Sequence, residues 1–164
     1  MDSKSHEELG ADYAEQLMKR LHYPNDRIDR VVSLIRNHMY ADFDTPKGAR
    51  RFLRKLNGDV KEAFDLMLLR QADKMGRGND EVNLDHIDLQ RKLIQDIVDE
   101  GQATTVKSLA INGNDLKEIG IPQGPEIGTT LNKLLDIIIE NPELNNQTDL
   151  INLAEQIWKE DTLG

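Results

Sequence analysis

Apolar residues recur along this chain with helical spacing almost everywhere. From Glu7 to Leu21 the positions Leu9, Tyr13, Leu17 and Leu21 repeat every four residues, with Ala14 and Met18 beside them. Tyr23-Pro24-Asn25-Asp26 interrupts the pattern, and Pro24 or Asn25 can open the next helix, whose stripe is Ile28, Val31, Val32, Ile35 and Met39. Thr45-Pro46 opens a third helix carrying Phe52, Leu53 and Leu56, and Asn57-Gly58 closes it. A fourth runs from about Asp59 to Met75 through Ala63, Phe64, Met67 and Leu68. After the break at Gly76-Arg77-Gly78-Asn79-Asp80, a fifth covers roughly Val82 to Glu100. No segment alternates as a strand does, so the pattern predicts an all-α chain, with a boundary near 76–81 or 101–108.

The C-terminal part is punctuated by glycine. In Leu109 to Gly128, LAINGNDLKEIGIPQGPEIG, Asn114 or Asp115 can cap a short helix and Gly120 can end it in the left-handed region. Proline holds Ile121 extended, and Gly124-Pro125 opens a long apolar helix running to Glu140. Asn141-Pro142 stops that helix, and a last one spans about Thr148 to Lys159. The free N–H groups near Gly124 and Gly128 can hold a phosphate, or the glycines can simply allow close helix packing.

Composition narrows the chemistry. The 164 residues are 38% hydrophobic with only seven aromatics, so the core is aliphatic. The absence of cysteine excludes disulfides and thiolate metal sites. With no long apolar run and no signal-like start, the expectation is a soluble cytoplasmic protein without membrane contact. A net charge of −9 argues against attraction of the whole surface to nucleic acid. The charge is uneven, however: Lys47 to Arg77 carries nine bases against four acids. Lys47, Arg50, Arg51, Arg54 and Lys55 follow spacings of three and four and therefore share one helix face. Such a face either meets RNA phosphates or pairs with the acidic remainder of the chain.

The order NG-DL-x3-GI-x2-GP-x2-G-x2-L-x2-LL, from Asn112 to Leu135, closely resembles the tail of bacterial CCA-adding tRNA nucleotidyltransferases. SHEELGADYAEQLMKRL, VVSLIRNHM, GARRFLRKL and RQADKMGRG resemble, in order, parts of that family's HD-type helical domain. The resemblance spans roughly residues 5–158. It implies an HD-like body over 1–80, incomplete at its start, and a helical tail over 81–164. It further implies tRNA as partner, held through Lys47, Arg50, Arg51, Arg54, Lys55, Gly124 and Gly128, with a nucleotidyltransferase head elsewhere in a parent protein. No Gly-Ser loop followed by a strand with paired aspartates occurs in the sequence, and Asp42-Phe43-Asp44 reads as a polar loop with helix-capping potential.

HD-type phosphohydrolases use histidines and aspartates to hold a divalent metal. By resemblance, His6, His38 and Asp73 correspond to members of that set, an incomplete site for Mg, Mn or Ni because the His-Asp doublet has no counterpart. His38 is otherwise a hydrogen-bonded helix histidine and Asp73 an ion-pair partner. His22 and His86 match nothing and are assigned to surface or packing. Alternatives to the tRNA-binding reading are an HD-type phosphohydrolase acting on nucleotides or terminal phosphates, or a helical protein-interaction module.

Overall fold

The computed structural model describes residues 5–38, 42–76 and 84–163. Among them there are eight α-helices and no strand, in two compact units. The first unit holds residues 1–44 and 59–93, the second residues 45–58 and 94–164. A single cut between 80 and 81 does not reproduce this division. The segment Thr45–Gly58 belongs with the C-terminal unit, and the described residues 84–93 belong with the first.

In the first unit, α1 (His6–Arg20) and α2 (Asn25–Asn37) form a hairpin, followed by α4 (Val60–Gly76) and the start of α5 (Asp85–Asp99). Ser5 and Glu8 close a reciprocal capping box at the head of α1. His22, at φ 57°, turns the chain toward Pro24 and α2. The hairpin core is Ala11, Ile28 and Val32, with Met18 and Ile35 against it. Helix α1 is where the period places it, but the periodic row is not its buried face. Leu9, Tyr13, Leu17 and Leu21 lie on its outward side, Tyr13 being 73% exposed. The inward side carries the small residues: a Cβ on Gly10 would sit 3.5 Å from Ile35 Cγ2, and Ala11 is fully buried. Small residues let two helices approach closely, and the bulky row is left on the far side. Met39, expected to extend the α2 stripe, and the break residues 77–80 lie outside the described residues.

The segment 42–44 also departs from a simple polar loop. Phe43 is buried, and its carbonyl accepts from the wholly buried Gln90 Nε2 at 2.9 Å. Gln90 Oε1 in turn accepts from Arg70 at 2.9 Å, which fixes the amide's orientation. The α2–α4 contact is reinforced by Arg30 with Asp65 and by the Ser33 hydroxyl donating to Glu62.

The second unit is built on α7 (Pro125–Glu140). Gly124 stands at its N-cap and Pro125 in the first turn, as the sequence suggests. Its residues Leu131, Leu134, Leu135, Ile138 and Ile139 are buried, the i, i+3, i+4 row of an amphipathic helix. Leu116 of α6 (Gly113–Glu118) and Leu150 and Ala154 of α8 (Gln147–Leu163) complete one cluster with Leu109, Ile111 and Ile121. The cap of α6 is Asn112, two residues before the expected start. Its side chain accepts from Asn114 N at 2.8 Å, and Asp115 accepts from Asn112 N at 2.6 Å. Helix α3 (Pro46–Lys55) packs on α7 in the same unit. Thr45 caps α3 by accepting from Gly48 N at 3.1 Å, and Asn57 and Gly58 at positive φ end it.

Candidate nucleic-acid interface

Four of the five cations expected to face RNA, Lys47, Arg50, Arg51 and Arg54, lie on a side of α3 that meets α7. Arg50 is buried, donating from Nε to the Ile139 carbonyl at 2.7 Å and from a terminal nitrogen to Gln102 Oε1 at 3.0 Å. Arg51 donates to Glu140 Oε1 at 2.7 Å, and Lys47 pairs with the same carboxylate. Arg54 donates from Nε to Asp136 Oδ1 at 2.7 Å. Lys55 is exposed and also engaged in a polar interaction. The Glu140 carboxyl is held below its ordinary range, first by the Lys47 hydrogen bond and then by Arg51.

The expectation of one open basic face is therefore corrected for Arg50, and qualified for Lys47, Arg51 and Arg54. Positions 136, 139 and 140 of α7 present two carboxylates and a terminal carbonyl to the guanidinium row. Helix C-termini carry such unpaired carbonyls and attract cations. The same i, i+3, i+4 spacing that gathers five bases on α3 also suits them to an acidic neighbour.

Gly124 and Gly128 stand at the other end of α7. Gly124 is extended, with φ 171°, so its backbone suits any residue, and a Cβ there would meet only the flexible carboxylate end of Glu126. A Cβ at Gly128 would meet nothing within 4 Å. Neither glycine is needed for close helix packing at its Cβ position; of the glycines in this stretch it is Gly113 that packs closely, a Cβ there falling 3.0 Å from Ile127 Cγ2 on α7.

In the first unit His6, His38 and Asp73 line one cavity of about 610 Å³ with Asp42, Arg70 and Lys74. The His6 and His38 rings meet edge-on with centroids 6.0 Å apart. His38 Nδ1 lies 2.6 Å from the Ile35 carbonyl, which only accepts, so Nδ1 is the donor of that bond. Among the described residues, however, no group of three His, Asp or Glu side chains is arranged to hold a metal ion. Two cations line the same cavity, which disfavours a divalent ion further. The donor set present does not fit the metal that the HD resemblance implies, and no chemistry is derived through one.

Sequence reasoning missed a network beside this cavity. His86 Nε2 sits 3.0 Å from Asp42 Oδ1 and 3.0 Å from Gln90 Nε2, and Arg70 reaches Asp42 at 3.5 Å. The Asp42 carboxyl is lowered, first by the His86 hydrogen bond and then by the Arg70 charge. The one signal in the sequence was the i, i+4 spacing of His86 and Gln90 on α5, too common to single out.

Helices alone, in two units and without a strand among the described residues, place this chain among all-helical domains. The sequence matches the family described as tRNA nucleotidyltransferase domain 2, putative, over residues 8–154. The chain therefore belongs to that family. It is also 26% identical over 132 residues to the CC-adding tRNA nucleotidyltransferase of Thermus thermophilus, an alignment covering 80% of this chain and 28% of that protein. The chain thus spans well under a third of that relative's length. No solved structure matches it. Among the described residues no helix is long and apolar enough to cross a membrane.

Proposed function

We propose that this chain is a tRNA-holding helical part of a tRNA nucleotidyltransferase, with nucleotide transfer performed by a different region or partner. The observation that carries this reading is the family match across residues 8–154, with the CC-adding relative aligned over only 28% of its own length. Its electrostatics fit a role confined to backbone contact. An acidic chain that spends much of its largest basic row on internal pairs retains few cations of that row for phosphates, so binding is modest and weakens with salt by about one log–log unit per phosphate contact.

The test is direct. With tRNA lacking its 3′ end, labelled CTP or ATP and magnesium, this chain alone gives no extension. The same tRNA binds it with an affinity that drops as salt rises. Extension by the purified chain, or no tRNA binding at low salt, overturns the reading. Gly124→Val separately tests the N-terminus of α7: a drop in tRNA affinity with the fold intact places a phosphate at those amides.

One observation favours a second reading, a phosphohydrolase: His6, His38 and Asp73 do line a common cavity. Calorimetry with manganese or nickel decides it, and tight binding abolished by His38→Ala would establish a metal site despite the poor donor set.

A further inference from the structure

The second unit contains a cavity of about 370 Å³ that no expectation from sequence anticipated. Its cations are Arg54 and Lys107, its carboxamides Asn57 and Asn132. Thr104 and Thr105 add hydroxyls, and Val106 and Leu135 complete the lining. The chain carries 30 acids against 21 bases, yet none of these eight lining residues is a carboxylate. Such a lining suits an anion with further hydrogen-bonding groups, although Asp136 already holds one edge of Arg54. The volume lies near the low end of ligand cavities, about 300–1,000 Å³.

The walls are fixed before any ligand arrives. Gly58, at φ +75°, stands so close to the loop that a Cβ there would collide with Thr105 Cγ2. The amides of Thr104 and Thr105 both donate to Ser108 Oγ, at 3.3 and 3.1 Å, and the Ser108 hydroxyl returns to the Thr105 carbonyl at 2.8 Å. Buried Arg50 ties α3 to the end of α7. Asp136 takes Arg54 Nε, but a guanidinium has four further N–H donors in its fork. Lys107 is exposed and free to approach a phosphate as a point charge.

We propose that this cavity holds one nucleotide of the bound RNA, its phosphate on Arg54 and Lys107 and its sugar or base edge on the amides and hydroxyls. The proposal rests on the tRNA-holding reading and gives it a location. It also explains why Arg54, of the basic row on α3, can serve RNA without leaving Asp136.

The experiment measures binding of labelled tRNA lacking its 3′ end to the full chain over a salt series. The variants are Lys107→Gln, Lys107→Glu and Asn132→Asp, with Lys117→Gln as a charge-matched control outside the cavity. Circular dichroism checks that each variant keeps its fold. Lys107→Gln should weaken binding several-fold and flatten the log–log salt slope by roughly one unit, as loss of one phosphate contact does. Lys107→Glu and Asn132→Asp, which put a carboxylate at the cavity, should weaken it more, and Lys117→Gln should change neither quantity. If the parent binds tRNA and all four variants match it, the cavity is not an RNA site while the tRNA-holding role survives. If the parent binds no tRNA, both fall. Amide resonances of Thr104 to Lys107 provide a second readout. Shifts with inorganic phosphate, combined with tRNA binding indifferent to Lys107→Glu, assign the cavity to free phosphate and overturn the RNA proposal.

Discussion

The α1–α2 hairpin and the packing around α7 are both amphipathic helices in sequence, yet they spend their apolar residues differently. Around α7 the large aliphatics Leu134, Leu135, Ile138 and Ile139 are nearly inaccessible and meet Leu116, Ile121 and Leu150. In the hairpin the pair closes on Gly10 and Ala11, while Leu9, Tyr13, Leu17 and Leu21 face outward. Much of the link from α2 to α4 is polar, through Arg30 with Asp65 and Ser33 with Glu62. Apolar burial has no charge to titrate or to screen, whereas charge pairs at partly exposed sites are screened and contribute little each. The α7 region should therefore set most of the stability, and the hairpin should open more readily.

The largest effect expected from this contrast is at Leu134. Leu134→Ala removes a fully buried side chain and should cost about 2–5 kcal/mol, read from the urea midpoint at unchanged slope. A loss below about 1 kcal/mol would mean that the α7 cluster is not the main source of stability.

Arg50 comes next. Arg50→Ala leaves the Ile139 carbonyl without its donor in a buried setting and should cost on the order of 1–3 kcal/mol. Arg51→Ala breaks only an exposed pair with Glu140 and should cost roughly 0–1 kcal/mol. Equal losses at the two arginines would remove the distinction between a structural cation and a surface one.

A smaller, pH-dependent effect belongs to Glu140. Its carboxyl titrates below the ordinary value in the folded chain, so ionised Glu140 favours folding. That contribution is present above the unfolded value of about 4.3 and disappears as pH falls through the lower folded value. Glu140→Gln should thus flatten the acid limb of stability against pH and leave the neutral-to-basic limb unchanged in shape. A variant whose acid limb matched the parent would show that the Lys47 and Arg51 pairs do not persist in solution.

The smallest effect sharpens the comparison from the other side. Tyr13→Ser and Leu9→Ser alter outward residues and should stay within about 0.5 kcal/mol of the parent in thermal or urea unfolding. A large loss at either would mean that the row is covered in solution.

Much of the architecture is legible in the sequence. Periodicity located the helices, Pro46 and Pro125 in first turns marked two of their starts, and Asn57, Gly58 and Gly120 marked stops through their left-handed backbone. The site was less legible. Spacing put five cations on one face of α3, but could not say whether that face met RNA or Asp136 and Glu140, some 80 to 90 positions later. The cavity joining Arg54, Asn57, Thr104, Lys107 and Asn132 has no local signature, because its members come from three separate stretches.

The sequence by itself determined the helical class, most helix ends and the family, since each depends on residues near one another along the chain: period, caps, and the order of glycines and prolines. Only the tertiary structure decided which side of α1 is inside, that Thr45–Gly58 belongs with the C-terminal unit, and that Arg50 is buried. Those outcomes depend on which partner a face meets and how closely it can approach. For α1 the decisive term was the small size of Gly10 and Ala11, which allowed a tighter contact than the larger stripe beside them.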